Sequence, residues 1–194
     1  MRCYEIEDEL EKKINFLKNN DIGKKIEKEI CNLVYDLKIY DAEINSRIKE
    51  FNSAIDKYKR KGYSNVEEIK DLIGIMIICK DKKQIYNITE EIKNKMKVIR
   101  IKDYIKKSKM GYKSIHILVE TKNEEIYEIQ IKTKEMQIAQ IVVHKYIYKN
   151  EKLSNFLKII LSPIIFKAVM MFEKSVKIIK NIKKLKKKNY SKKQ

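Results

Sequence analysis

From Ile126 to Thr133 apolar and polar side chains alternate without a break, setting Tyr127, Ile129 and Ile131 on one side of the chain and Glu128, Gln130 and Lys132 on the other. A period of two over eight residues demands a strand with one buried and one polar face. A similar run precedes it. Tyr112, Ser114 and His116 share a face, Lys113, Ile115 and Ile117 share the opposite one, and Gly111 marks a point where the chain turns or a ligand comes close. The Thr-Lys-Asn-Glu turn from Thr121 joins the two runs as a hairpin. An aromatic ring, a hydroxyl, an imidazole, a carboxylate and an amide then line one surface.

The rest of the chain is mostly helical in pattern. Residues 4–19 and 24–62 carry apolar residues three and four apart, which predicts two helical stretches. The second is broken near Asp41 or Ser46 and ended by Gly62, with Ile26, Ile30, Leu33, Val34, Leu37 and Ile44 as its buried stripe. Leu72–Cys79 is short and β-branched and reads as a buried strand. Asp71 at its mouth is either a solvated turn acid or a metal ligand. A helix over 81–96 and a strand over 98–104 follow, and a further helix runs from 134 to 149 with Met136, Ala139, Val143 and Ile147 inward. The expected fold is α+β, a small mixed sheet flanked by helices, with helical extensions at both ends. The expected divisions are an N-terminal helical segment at 1–43, a core at 44–150, C-terminal helices at 151–182 and a basic disordered tail at 183–194.

The apolar stretch Leu153–Phe172 contains Lys158, Lys167 and the chain's one proline, Pro163, placed after Ser162 as at a helix start, so two short helices are predicted. Their apolar surface is expected to pack on the core or to bury against another subunit, giving a homo-oligomer; an anionic bilayer surface is the alternative, and a membrane is not the expected partner. The formal charge is +18, and the last 21 residues hold ten lysines and no acid. Such charge favours polyanions, RNA or nucleotides among them, although a Lys-rich composition alone also produces it. Cys3, Cys31 and Cys79 show no metal-ligand spacing, the N-terminus lacks a signal-type apolar core, and no run of eighteen apolar residues occurs. A cytoplasmic protein that is neither secreted nor membrane-spanning is expected.

Several blocks in order resemble the synthetase domain of the RelA/SpoT alarmone family: Ser46-Arg47-Ile48-Lys49, DLIGI from Asp71, KDYI from Lys102, GYKSIH from Gly111, EIQIKT from Glu128, and His144 with Tyr148-Lys149. The resemblance implies a nucleotidyltransferase-like fold and transfer of pyrophosphate from ATP to the 3′-hydroxyl of GTP or GDP, making (p)ppGpp. It implies that Asp71 ligates Mg²⁺ and that Glu128 shares the metal or activates the acceptor hydroxyl. Arg47, Lys49 and the position of Met76 fall to ATP; Lys102, Tyr112, Ser114, His116, Gln130, Lys132 and His144 fall to the guanine nucleotide, with Tyr112 stacking on the base. Lys109 and Lys113 add charge near the phosphates. The hydrolase half of long family members has no room in 194 residues, so a small synthetase-only member is expected.

The chain also departs from the family pattern. Met76 stands where DxxGxR has an arginine that helps hold adenine, and Lys132 replaces the arginine of EIQIRT. Val143 replaces an acid, Ser108 a common proline, and the customary tryptophan is absent. Two other readings therefore stand beside the first: a toxin-type member that pyrophosphorylates the tRNA 3′ end, and a degenerate nucleotide- or RNA-binding module. An ordinary Walker NTPase is excluded, since no GxxxxGK[ST] occurs.

Overall fold

In the computed structural model, which describes residues 3–148 and 153–190 (side chains up to 180), the alternating segment is the central strand of a five-stranded mixed sheet. The strands are β1 (Glu43–Ile48), β2 (Ile73–Cys79), β3 (Lys97–Asp103), β4 (Ile115–Glu120) and β5 (Ile126–Thr133), in the order β1-β2-β5-β4-β3. β5 runs parallel to β2 and antiparallel to β4, and the outer pairs are antiparallel. The helices are α1 (Cys3–Asn19), α2 (Ile22–Asp36), α3 (Phe51–Lys61), α4 (Lys82–Lys95), α5 (Lys134–Val143) and α6 (Asn155–Tyr190). This is the expected α+β architecture with helical extensions.

The chain divides into two compact units. One comprises the residues up to Asp103 together with Ser114–Thr133; the other comprises Tyr104–Lys113 and the chain from Lys134 onward. In the first unit Ile73, Ile75, Ile77, Ile117, Ile129 and Ile131 are all buried on one sheet face. α2 and α4 pack against the sheet through the stripes Ile26, Ile30, Leu33, Val34 and Ile85, Ile88, Ile92. Burying a side chain of this size stabilises by about 1.5–3 kcal/mol, so the sheet's apolar face is what fixes the register. Asp81 caps α4 by accepting from the Gln84 N–H at 2.9 Å.

β1 corrects the expectation of a helix through 24–62. Glu43–Ile48 pairs with β2 as an edge strand, and Ile44 belongs to it and not to a helical stripe. Its sequence, EINSRI, satisfies both periods over so short a span, and the decision falls to the partner strand. Glu27 of α2 covers the outer edge there, accepting from the Ser46 N–H at 2.7 Å and from the Ser46 hydroxyl.

In the second unit α5 continues through a π-helical turn, His144–Tyr148. Ala139, Val143, Ile147 and Phe166 form its buried cluster, with Tyr112 and Leu161 packed against them. α6 is a single helix and not two, because Pro163 lies inside it and the Ser162 hydroxyl donates to the Lys158 carbonyl at 2.6 Å. The helix also continues to Tyr190, past the predicted start of the disordered tail, since its lysines are good helix formers and no further Pro or Gly intervenes; residues 191–194 lie outside the described residues. Gly111, at φ 82°, brings the loop against α6 so closely that a Cβ would stand 2.6 Å from Pro163 Cα.

Candidate active site

The polar face of β5 carries the predicted residues in a row, because every second side chain of a strand points the same way. Across the sheet the register sets Arg47, Gly74, Glu128, Leu118 and Arg100 in one line, and Asn45, Met76, Gln130, His116 and Lys102 in the next. Gly74 has a role in this line. An added Cβ there would meet Arg47 Cγ and Nε at 3.4 Å, so the missing side chain gives the guanidinium stem room to lie over β2.

Along β5 the polar side chains hold one another. Lys132 donates to Gln130 Oε1 at 3.0 Å, Gln130 donates to Glu128 Oε2 at 2.8 Å, and His116 Nδ1 lies 3.0 Å from Glu128 Oε1, where an ionised carboxylate makes it the donor. Burial works against the charge on Glu128, but the bonds from His116 and Gln130 and the positive charge of Lys57 outweigh it and bring its pKa down to about 2. Lys132 is 2% exposed, and burial together with the Arg47 charge pulls it down to about 8, against the attraction of Glu128.

Asp71 sits just before β2, between two lysines. Lys49 Nζ is 2.7 Å and Lys57 Nζ 2.8 Å from Oδ2. Burial opposes its ionisation, yet these two bonds hold its carboxyl below the usual range. Oδ1 is buried without a hydrogen-bond partner, an acceptor that a hard divalent cation would satisfy. Among the described residues no three His, Cys, Asp or Glu side chains gather as a metal cage. An ion held at Asp71 Oδ1 would leave its remaining positions to other acceptors, phosphate oxygens and water among them.

The sheet unit thus gathers Arg47, Lys49, Asp71, Met76, Lys102, His116, Glu128, Gln130 and Lys132 on one face or at its margin. Ser114 is in the same unit but fully buried, its hydroxyl donating to the Ile131 carbonyl at 3.1 Å, which makes it a strand-to-strand tie. Tyr112 does not extend β4 as the alternation predicts. It belongs to the loop of the other unit, edge-on to Tyr104, where it lines a cleft of about 120 Å³ with Met110, Gln140, His144, Tyr148 and Phe166. Lys57 is absent from the sequence prediction. Its one visible signal is its place on α3 three residues after the buried Ala54.

Comparison with known proteins bears on the family and the fold. The chain is 35% identical over 119 residues to the GTP pyrophosphokinase YwaC of Bacillus subtilis (54% of this chain, 57% of YwaC). It is 38% identical over 117 residues to the guanosine-3′,5′-bis(diphosphate) 3′-pyrophosphohydrolase of Borreliella burgdorferi (57% of this chain, 17% of that enzyme). It therefore spans little more than half the length of the first of these relatives and a smaller part of the second. The small alarmone synthetase 2 from Bacillus subtilis superposes with a TM-score of 0.67 at 26% identity, covering 90% of this chain and 97% of that one. The small alarmone synthetase 1 from the same organism, solved bound to its product pppGpp, shares the fold with a TM-score of 0.68 at 22% identity, covering 86% and 95%. The model of the region found in RelA / SpoT proteins matches residues 46–153, more than half of the chain, and the chain belongs to that family.

Proposed function

We propose that this protein is a GTP pyrophosphokinase that moves pyrophosphate from ATP to the 3′-hydroxyl of GTP or GDP. The observation that carries the reading is Glu128, a mostly buried carboxylate held ionised by donors on either side, on a sheet face it shares with Arg47, Met76 and Lys102. In the reaction the acceptor oxygen bonds to the β-phosphorus of ATP, the bond from that phosphorus to the α-phosphate oxygen breaks, and AMP leaves with the electron pair. Phosphoryl-type transfer asks a protein mainly for positioning and charge neutralisation. Arg47, Lys49 and Lys57 supply cations for the triphosphate. Asp71 and Glu128 would hold Mg²⁺, which when bound would supply further neutralisation of phosphate charge.

A carboxylate whose pKa lies near 2 is a weak proton sink at neutral pH. Glu128 is instead an acceptor that stays ionised, and its role is to align the attacking hydroxyl, whose proton departs late in a loose transition state. Gln130 and His116 fix both of its oxygens and Lys132 fixes Gln130, so the acceptor geometry is set before substrate arrives. Tyr112, with His144 beside it at the second unit's cleft, offers a ring face for guanine.

Incubation with γ-labelled ATP, Mg²⁺ and, in separate tubes, GTP, GDP or deacylated tRNA tests the reading. Label in a guanine nucleotide with equal formation of AMP is expected. Label confined to tRNA would shift the acceptor, label only in inorganic phosphate would make the site a hydrolase, and no transfer at all would leave a binding module.

A further inference from the structure

β3 ends on an acid where its alternation calls for an apolar residue. Successive side chains of a strand face opposite ways, so Lys102 lies on the site face beside its register partner His116, while Ile101 and Asp103 lie on the face that α4 covers, opposite Ile117 and Ile115. The half-buried Asp103 is met there. The Tyr86 hydroxyl of α4 donates to Asp103 Oδ2 at 3.1 Å, and burial together with that carboxylate pushes the Tyr86 phenol above its ordinary range. The register pair Asp103 and Ile115 is also where the loop 104–114 leaves the sheet and returns to it. Its returning end is bolted to β5 by the Ser114 hydroxyl, which donates to the Ile131 carbonyl. Within the loop, the ring of Tyr104, the residue after Asp103, stands edge-on to Tyr112 with centroids 5.6 Å apart. The Tyr112 N–H donates to the Lys109 carbonyl at 2.9 Å, and the Ser108 hydroxyl to the Tyr112 carbonyl at 3.1 Å.

We propose that Tyr86 is a positioning residue for the acceptor nucleotide: its hydrogen bond to Asp103 pins the root of the loop that carries Tyr112. The inference rests on the reading of Tyr112 as the ring that meets guanine. α4 is a firm support, capped by Asp81 and seated on the sheet through the buried Ile85, Ile88 and Ile92, so a hydroxyl carried on it restrains what it binds. Asp103 with Ile115 is the last pair of its ladder, and end pairs fray. Fraying there would release Tyr104, and Tyr104 braces Tyr112, so disorder at the root reaches the ring through adjacent contacts. A loop ordered in advance has lost its conformational freedom before the nucleotide arrives, and that cost is then absent from binding. Tyr86 lies across the sheet from Glu128, away from the reacting atoms, so its influence runs through the loop.

Tyr86→Phe removes one oxygen and keeps the ring. In the full-length protein the KM for GTP should rise about three- to tenfold, the scale of one net hydrogen bond, with kcat and the KM for ATP unchanged. Hydrogen–deuterium exchange read by mass spectrometry should show the amides of 104–114 exchanging several-fold faster, while those of α4, β4 and β5 keep wild-type protection. Asp103→Ala should reproduce both effects, and the double variant should be no worse than Asp103→Ala alone, because the two side chains act through one bond. Faster exchange across the whole sheet would overturn the proposal and make Tyr86 a general support of the fold. Faster loop exchange with an unchanged KM for GTP would overturn it as well, since order in the loop would then not serve the acceptor. Unchanged loop exchange would overturn it whether or not the protein makes (p)ppGpp, which keeps that result apart from a failure of the pyrophosphokinase reading, a failure the wild type alone reveals.

Discussion

Glu128→Gln keeps the size of the side chain and removes the charge that His116 and Gln130 stabilise. Transfer should fall at least about tenfold while thermal stability holds, and Asp71→Asn should do the same; near-wild-type turnover at saturating Mg²⁺ would remove the role from whichever residue retained it. Met76 lies in the line of Gln130 and His116 on the site face, where a thioether offers adenine a contact surface but no cation. Met76→Arg should lower the apparent KM for ATP about five- to thirty-fold, the scale of one partly desolvated cation–π contact, and leave that for GTP unchanged. An unaltered ATP dependence in a folded variant would mean that adenine is held elsewhere. At this scale the sequence was most legible where chemistry and period coincide, as at Glu128, Gln130 and Lys132. It was least legible at Lys57, one cation among the 45 Lys and Arg of the chain, whose meaning comes only from the 2.8 Å contact to Asp71.

The elements show why some of the pattern misled. The hairpin and the buried strand β2 were readable because each satisfies one period over its whole length. β1 was not, since six residues at a sheet edge are decided by their neighbours, and α6 was not, since a proline after a serine reads as a helix start although here the helix runs through it. Gly111 was read as a turn or a ligand approach; it proves to be a turn whose close neighbour is α6. Gly111→Ala combines a left-handed backbone with a 2.6 Å contact to main chain, so it should destabilise by about 2–4 kcal/mol. Because Tyr112 is the next residue, the KM for GTP should rise with little change for ATP. A melting temperature equal to wild type would show that the loop can leave α6 without cost.

For the whole molecule, the ionisation of the site residues enters the dependence of stability on pH. Glu128 titrates lower when folded than its ordinary 4.5, so its contribution is complete above that value and is lost as pH falls toward 2. Lys132 also titrates lower when folded, about 8 against 10.5, but for a base the sign differs. The unfolded chain holds the extra proton between these values, so the cost of burying the charge disappears as pH rises through that window. A shift of this size corresponds to roughly 3 kcal/mol. Urea unfolding of wild type and Lys132→Met should therefore show a difference that turns against the variant by about that amount from pH 7 to pH 10. A difference independent of pH would mean that Lys132 keeps its proton in the folded protein across this range and that burial does not lower its pKa.

The position of β5 also orders events in time. It is the last strand of the sheet in sequence and the middle one in space, between β2 and β4. As the chain leaves the ribosome, β1 with β2 can form one ribbon, while β3 and β4 form another, and each keeps an open edge until Ile126–Thr133 emerges and inserts. That late strand carries Glu128, Gln130 and Lys132. A nascent chain therefore has no assembled acceptor carboxylate until its sheet is closed, and competence arrives in one step with the fold.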